Sequence, residues 1–168
     1  GEFADTDNFE IDLTGFSADG QNKLSDGTHT LNITGVNSQG DSFRETKVFT
    51  VDTQPPNLLL SSPINGSCFG EDGSLKIEGI SDEDACFTIE VDGNVPDAWN
   101  SKTVSQLGGS VTSDGVFSFD ITLDPGVSKH NIVITVTDAV GNSYSTSANV
   151  QNAGLSNIER LDIYANGI

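Results

Sequence analysis

Basic side chains are scarce in this 168-residue sequence: 7 Lys and Arg stand against 25 Asp and Glu, for a net charge of −18. A field of that sign repels phosphate backbones and anionic membrane surfaces, so nucleic acid and lipid headgroups are poor partners. Taken singly, most of these acids solvate a protein surface; taken together, they favour a multivalent cation. No apolar run approaches the roughly 20 residues a membrane helix needs, which argues against membrane insertion. No stretch reads as a signal peptide, and Gly1-Glu2-Phe3 has the form of a cloning scar, so targeting information is expected to have been cut away. Methionine is absent, and Trp99 is the single tryptophan.

Cysteine is nearly absent too. Cys68 and Cys86 stand in a chain rich in Ser, Thr, Asn, Gly and Asp, a composition that suits an exported protein. Two outcomes are open for the pair, a disulfide or two free thiols. A strand falls between them in sequence, which sets a bridge against the Cα separation limit of about 7 Å. Two lone cysteines are too few for a typical metal site.

What is present is alternation. Ile132, Ile134 and Val136 alternate with polar or β-branched neighbours, as do Phe9, Ile11 and Leu13, then Leu75 and Ile77, Phe87 and Ile89, and Phe117, Phe119 and Ile121. Turn signals separate these runs: Pro63-Ile64-Asn65-Gly66, Asp124-Pro125-Gly126 and Asp138-Ala139-Val140-Gly141-Asn142. No stretch holds helical periodicity. Short alternating strands between turns predict an all-β sandwich. With 35% apolar residues the chain can bury one full core and part of another, which is fewer than two complete modules of about 100 residues.

The segment from His130 to Tyr144 repeats an earlier one, from His29 to Phe43, at a constant offset of 101 residues. NFEIDL at Asn8–Leu13 is echoed by VFSFDI at Val116–Ile121 with an offset of 108, so the loop before the His29 strand is seven residues longer and contains Asp19 and Asp26. The first copy holds only the last three strands of a unit. A face carrying Phe9, Ile11, Leu13, Leu31, Ile33, Val48 and Val51 is then expected to lie bare, an invitation to strand-mediated self-association. The boundaries are set at 1–54 for the partial module, 55–152 for a complete one, and 153–168 for the start of a further module or a docking strand. Asp52-Thr53-Gln54-Pro55-Pro56 is the stiff connector between the first two.

In Leu24-Ser25-Asp26-Gly27-Thr28-His29-Thr30-Leu31, Val51-Asp52-Thr53-Gln54-Pro55-Pro56, Ser62-Pro63-Ile64-Asn65-Gly66 and Thr137-Asp138-Ala139-Val140-Gly141-Asn142, the chain resembles the tandem bacterial immunoglobulin-like repeats of surface adhesins and large secreted enzymes. The resemblance covers about residues 8 to 152. It implies immunoglobulin-like Greek-key β-sandwich modules in tandem, used as spacers or display elements and often stiffened by calcium between neighbours. Three departures stand out: a long insertion from Asp92 to Gly115, the two cysteines, and Asn37 where the second copy has Asp138. The last weakens a metal at the outer end of the first copy.

In such a sandwich the incoming chain, the loop after the second strand and the loop between the last two strands share one end. That expectation gathers Asp52, Asp82, Asp84 and Asp138, with Asn142 either ligating or fixing the turn, around an interdomain Ca²⁺. Calcium takes six to eight hard oxygen ligands in a flexible cage. The alternative is that these acids serve turn chemistry alone. Trp99 could stack on a sugar, or it could pin the insertion to the sandwich. His29 and His130, with no serine elbow, phosphate loop or metal spacing around them, read as structural or surface residues. No catalytic residues are expected. The function expected from the resemblance is that of a non-catalytic extracellular segment of a bacterial surface adhesin or stalk. Its partners are neighbouring modules of the parent chain and a host or surface glycan or protein receptor. The alternative is an accessory, carbohydrate-binding module of a secreted glycoside hydrolase or protease.

Overall fold

The computed structural model describes residues 24–81 and 85–154, and the chain divides into two compact units, Gly1–Thr53 and Gln54–Ile168. In the first unit, β1 (Gly27–Val36) and β2 (Ser42–Val51) form an antiparallel ribbon. Residues directly opposite one another share a face. Leu31 and Ile33 therefore lie with Lys47 and Glu45, which form an ion pair of 2.8 Å, whereas Thr30 lies with Val48. Val48 is 67% exposed on the face away from Leu31 and Ile33. This corrects the expectation of one shared apolar face, because a residue at an odd separation along a strand must point the other way. Phe9, Ile11 and Leu13 lie outside the described residues, as does the Leu161–Ile163 stretch.

The second unit is a sandwich of two four-stranded sheets. Its strands are β3 (Leu58–Ser62), β4 (Cys68–Phe69), β5 (Ser74–Ser81), β6 (Cys86–Val91), β7 (Ser110–Val111), β8 (Val116–Thr122), β9 (Lys129–Thr137) and β10 (Ser143–Asn152). One sheet runs β3-β5-β8-β7 and the other β4-β10-β9-β6. That is the strand order of an immunoglobulin-like sandwich, with the first strand divided between the sheets: β3 pairs antiparallel with β5, and β4 pairs parallel with β10. The division falls at the Pro63–Gly66 turn, which is stitched to β10 by bonds from Gly66 N to Asn149 O and from Asn149 N to Asn65 Oδ1.

Alternation puts Leu75 and Ile77 of β5, Phe87 and Ile89 of β6, Phe117, Phe119 and Ile121 of β8, and Ile132, Ile134 and Val136 of β9 in one core. Phe87 bridges the sheets, its ring 4.8 Å from Phe117 and 5.6 Å from Phe119 in tilted and edge-on geometry. Such pairs add about 0.5–1.5 kcal/mol beyond the area they bury. Gly79 is required where β5 pairs with β3, since a Cβ there would drive into the Leu59 carbonyl and the Phe117 ring.

The long connection after β6 folds back on the sandwich. Phe87 and Lys102 exchange two backbone bonds of 2.7 and 2.9 Å, and Val91 N donates to Asn94 O, so the connection covers the outer edge of β6. Val104 is buried in the core, and Leu107 packs against it.

The disulfide left open by the sequence is not formed: both cysteines are free thiols. Cys68 on β4 and Cys86 on β6 occupy opposite edges of one sheet, with β10 and β9 between them. Cys68 lies level with Gln151 and Cys86 level with Ser143, so three interstrand steps of about 4.8 Å combine with eight residues of about 3.4 Å along the strand, well beyond disulfide reach.

Candidate functional site

Asp138 follows β9 and organises the turn into β10. Its Oδ1 accepts from the backbone N–H groups of Val140 at 2.9 Å, Gly141 at 2.7 Å and Asn142 at 2.9 Å, while Oδ2 accepts from Asn142 Nδ2 at 2.9 Å. Gly141 takes the positive φ of 98° that the reversal demands. Burial opposes the charge on Asp138, but the Asn142 side chain and the three backbone donors outweigh it and hold the carboxyl below its usual range.

The first ribbon solves the same turn with the groups exchanged. Asn37 Oδ1 accepts from the backbone of Gln39 at 3.0 Å and of Asp41 at 2.8 Å, and Asn37 Nδ2 donates to Asp41 Oδ2 at 3.0 Å. The ribbons also share a register: Val36 faces Ser42 as Thr137 faces Ser143, and Thr28 faces Thr50 as Lys129 faces Gln151, each 101 residues on. Asn37 is therefore an exchange of partners within one motif.

Of the residues expected to gather around calcium, the structure brings Asp138 and Asn142 together. Asp82 and Asp84 lie outside the described residues, and Asp52 follows β2 in the first unit. Asp26, at the same end of that ribbon, accepts from Thr53 N at 3.0 Å and from Thr53 Oγ1 at 2.9 Å. Among the described residues no three His, Cys, Asp or Glu side chains form a group that could hold a metal ion. Trp99 sits in a short 3₁₀ turn, Asp97–Trp99, half-buried against the core.

A cleft of about 760 Å³ opens between the sheets beside β7, floored by Phe87, Val104 and Phe117 and rimmed by hydroxyl side chains and Asp114.

Sequence reasoning missed the environment of His130, because its partner is 38 residues away. Nδ1 lies 2.6 Å from Asp92 Oδ2 and Nε2 lies 3.0 Å from the Asp124 carbonyl oxygen, with the ring 5.4 Å from Phe69. Asp92 Oδ1 accepts from Asn131 N at 2.8 Å. His29, by contrast, bonds the Ser25 carbonyl through Nε2 at 2.7 Å and stacks on Phe49.

No known protein-family model matches the chain, and no curated protein matches it in sequence. Solved structures with a similar fold include the fibronectin(III)-like modules of Clostridium thermocellum CbhA, at 14% identity and a TM-score of 0.40 over 57% of this chain and 95% of that one. The titin M3 domain is similar at 19% identity and a TM-score of 0.38, covering 58% of this chain and 95% of that one. A Ca²⁺-stabilized adhesin that helps an Antarctic bacterium reach out and bind ice is similar at 16% identity and a TM-score of 0.35, over 74% of this chain and 31% of that one. It is the strand order of its two sheets that makes the second unit an immunoglobulin-like sandwich.

Proposed function

We propose that the chain is a non-catalytic segment of a bacterial surface protein in which immunoglobulin-like modules repeat in tandem and set the distance between the cell and a binding tip. One observation carries this reading: the ribbon β1–β2 repeats β9–β10 with the same register and the same turn pairing at a fixed 101-residue spacing. A module copied with its register intact is a unit of length, and stacked units of one size are how extended proteins gain reach. An in-frame deletion of one such period from the parent protein, displayed on its own bacterium, tests it. The expected result is retained binding at the tip with reach shortened by one module. Loss of tip binding while the remaining modules stay folded overturns the spacer role.

Calcium enters this proposal as a stiffening ion at the Asp138 end, with Asp52, Asp82, Asp84 and Asn142 as the other donors. A carboxylate offers about four lone-pair directions; Asp138 Oδ2 accepts one bond, from Asn142, and keeps a second direction. Melting in Ca²⁺ against EDTA reads the ion directly. A rise that disappears in Asp138→Asn supports it, and superimposable curves remove it while leaving the spacer role standing.

A further inference from the structure

We propose that His130 is a fixed imidazolium that clips the first residue of the long insertion and the β8–β9 turn to the sandwich, so that alkaline conditions release this end of the module. The argument begins with hydrogen counting. An imidazole nitrogen bonds either as N–H donor or as lone-pair acceptor. Both partners of His130 offer only lone pairs: the Asp92 carboxylate on one side and the Asp124 backbone carbonyl on the other. Both ring nitrogens must then carry hydrogen, and the ring is a cation. The other placement of the proton, on Asp92, is disfavoured. Bonds from Asn131 N–H and then from His130 hold that carboxyl below its usual range.

The ring is enclosed, with its side chain 4% exposed, and several elements bear on it. Asp92 comes from the end of β6, Asp124 from the β8–β9 turn and the Phe69 ring from β4, while Val150 lies opposite on β10. Asn152, also on β10, donates from its side chain to the Pro125 carbonyl and ties the same turn down. Asp92 and Asp124 are the charges that act on the ring. Lys129, the neighbour on β9, points to the opposite face by strand alternation. Burial alone would lower the His130 pKa; the Asp124 carbonyl bond, the Asp92 bond and the two negative charges outweigh it, and the value rises.

Losing a proton leaves one ring nitrogen with its lone pair turned toward another lone pair, so one of the two bonds must break. Asp92 is a non-glycine residue at φ 51°, a conformation of the left-handed region held here by its bonds to His130 and Asn131. Loss of the Asp92 bond frees the start of the segment that carries Trp99, and loss of the Asp124 bond frees the β8–β9 turn. Because the folded pKa is raised, the clip acts fully below the unfolded histidine value of about 6.5, and it is lost as pH rises through the folded value.

The test is a ring-nitrogen NMR titration of the whole chain, followed in parallel by amide exchange of residues 92–102 and 124–128. Both ring nitrogens of His130 are expected to be protonated at pH 6.5, with a midpoint above that value and exchange that quickens through the same midpoint. A bare ring nitrogen at pH 6.5, or exchange that stays flat through the midpoint, overturns the proposal. Asp92→Asn, which removes the charge but keeps an oxygen, is expected to lower the midpoint. An unmoved midpoint also counts against the clip.

Discussion

Asn37 and Asp138 occupy the same position of the same turn, 101 residues apart, and accept the same two backbone hydrogens, from the second and fourth residues after them. One does so as a neutral amide and the other as a carboxylate. In each turn the fourth residue supplies the complementary group, Asp41 in the first and Asn142 in the second. The pair is the conserved chemistry between the two copies, and the position of the charge within it is free.

An exchange experiment follows from that pairing. Asp138→Ala removes the acceptor of three backbone donors and is expected to lower the denaturation midpoint, because those donors lose their fixed partner at the reversal. The double exchange Asp138→Asn with Asn142→Asp rebuilds the arrangement of the first turn and is expected to recover most of that loss. Urea denaturation followed by Trp99 fluorescence measures both, and a double variant no better than the alanine variant refutes the equivalence of the two turns.

Acid is expected to loosen the second unit through Asp92 and Asp138. Bonds to Asn131 and then His130 depress the Asp92 pKa, and hydrogen bonds that outweigh burial depress that of Asp138. Groups depressed on folding contribute stability that is present above the unfolded carboxylate value of about 4 and lost as pH falls through the folded one. Denaturant midpoints measured from pH 6 down should fall most steeply below about pH 4. In the Asp92→Asn variant that slope should be shallower.

Phe87→Ala should be the most damaging core truncation, because the ring contacts both Phe117 and Phe119 across the sheets. A loss of about 3–5 kcal/mol is expected for a buried phenylalanine. Val48→Ala, on a side chain 67% exposed, should change stability by less than about 0.5 kcal/mol. Calorimetric melting distinguishes the two.

Both thiols should react with an alkylating reagent without prior reduction, Cys68 ahead of the half-buried Cys86. Mass spectrometry after timed quenching reads the order. A species that gains alkyl groups only after reduction would mean the cysteines are bridged.

Much of the sandwich was legible because alternation and turn residues are local. The strands carrying Ile77, Ile89, Phe119 and Ile134 announce themselves within six or seven residues. What was not legible depends on distance in sequence or on elements too short to show a period. β4 has two residues, so the burial of Phe69 left no pattern to read. The connection after β6 reads as polar although Val104, Leu107 and Trp99 anchor it, because those three fall at no regular spacing. Val48 shows that an apolar residue in a strand belongs to the core only in the right phase. The clip around His130 joins groups from three parts of the chain, and only the folded topology brings them together.

The cover over β6 matters most in a polymer of such modules. Neighbours tethered in one chain meet at effective concentrations on the order of millimolar, where an open strand edge would trade partners with the next module and tangle the array. By bonding its own Lys102 and Asn94 back onto β6, the module keeps that edge occupied from within. A long protein built this way could be stretched and refold link by link without misassembly between adjacent copies.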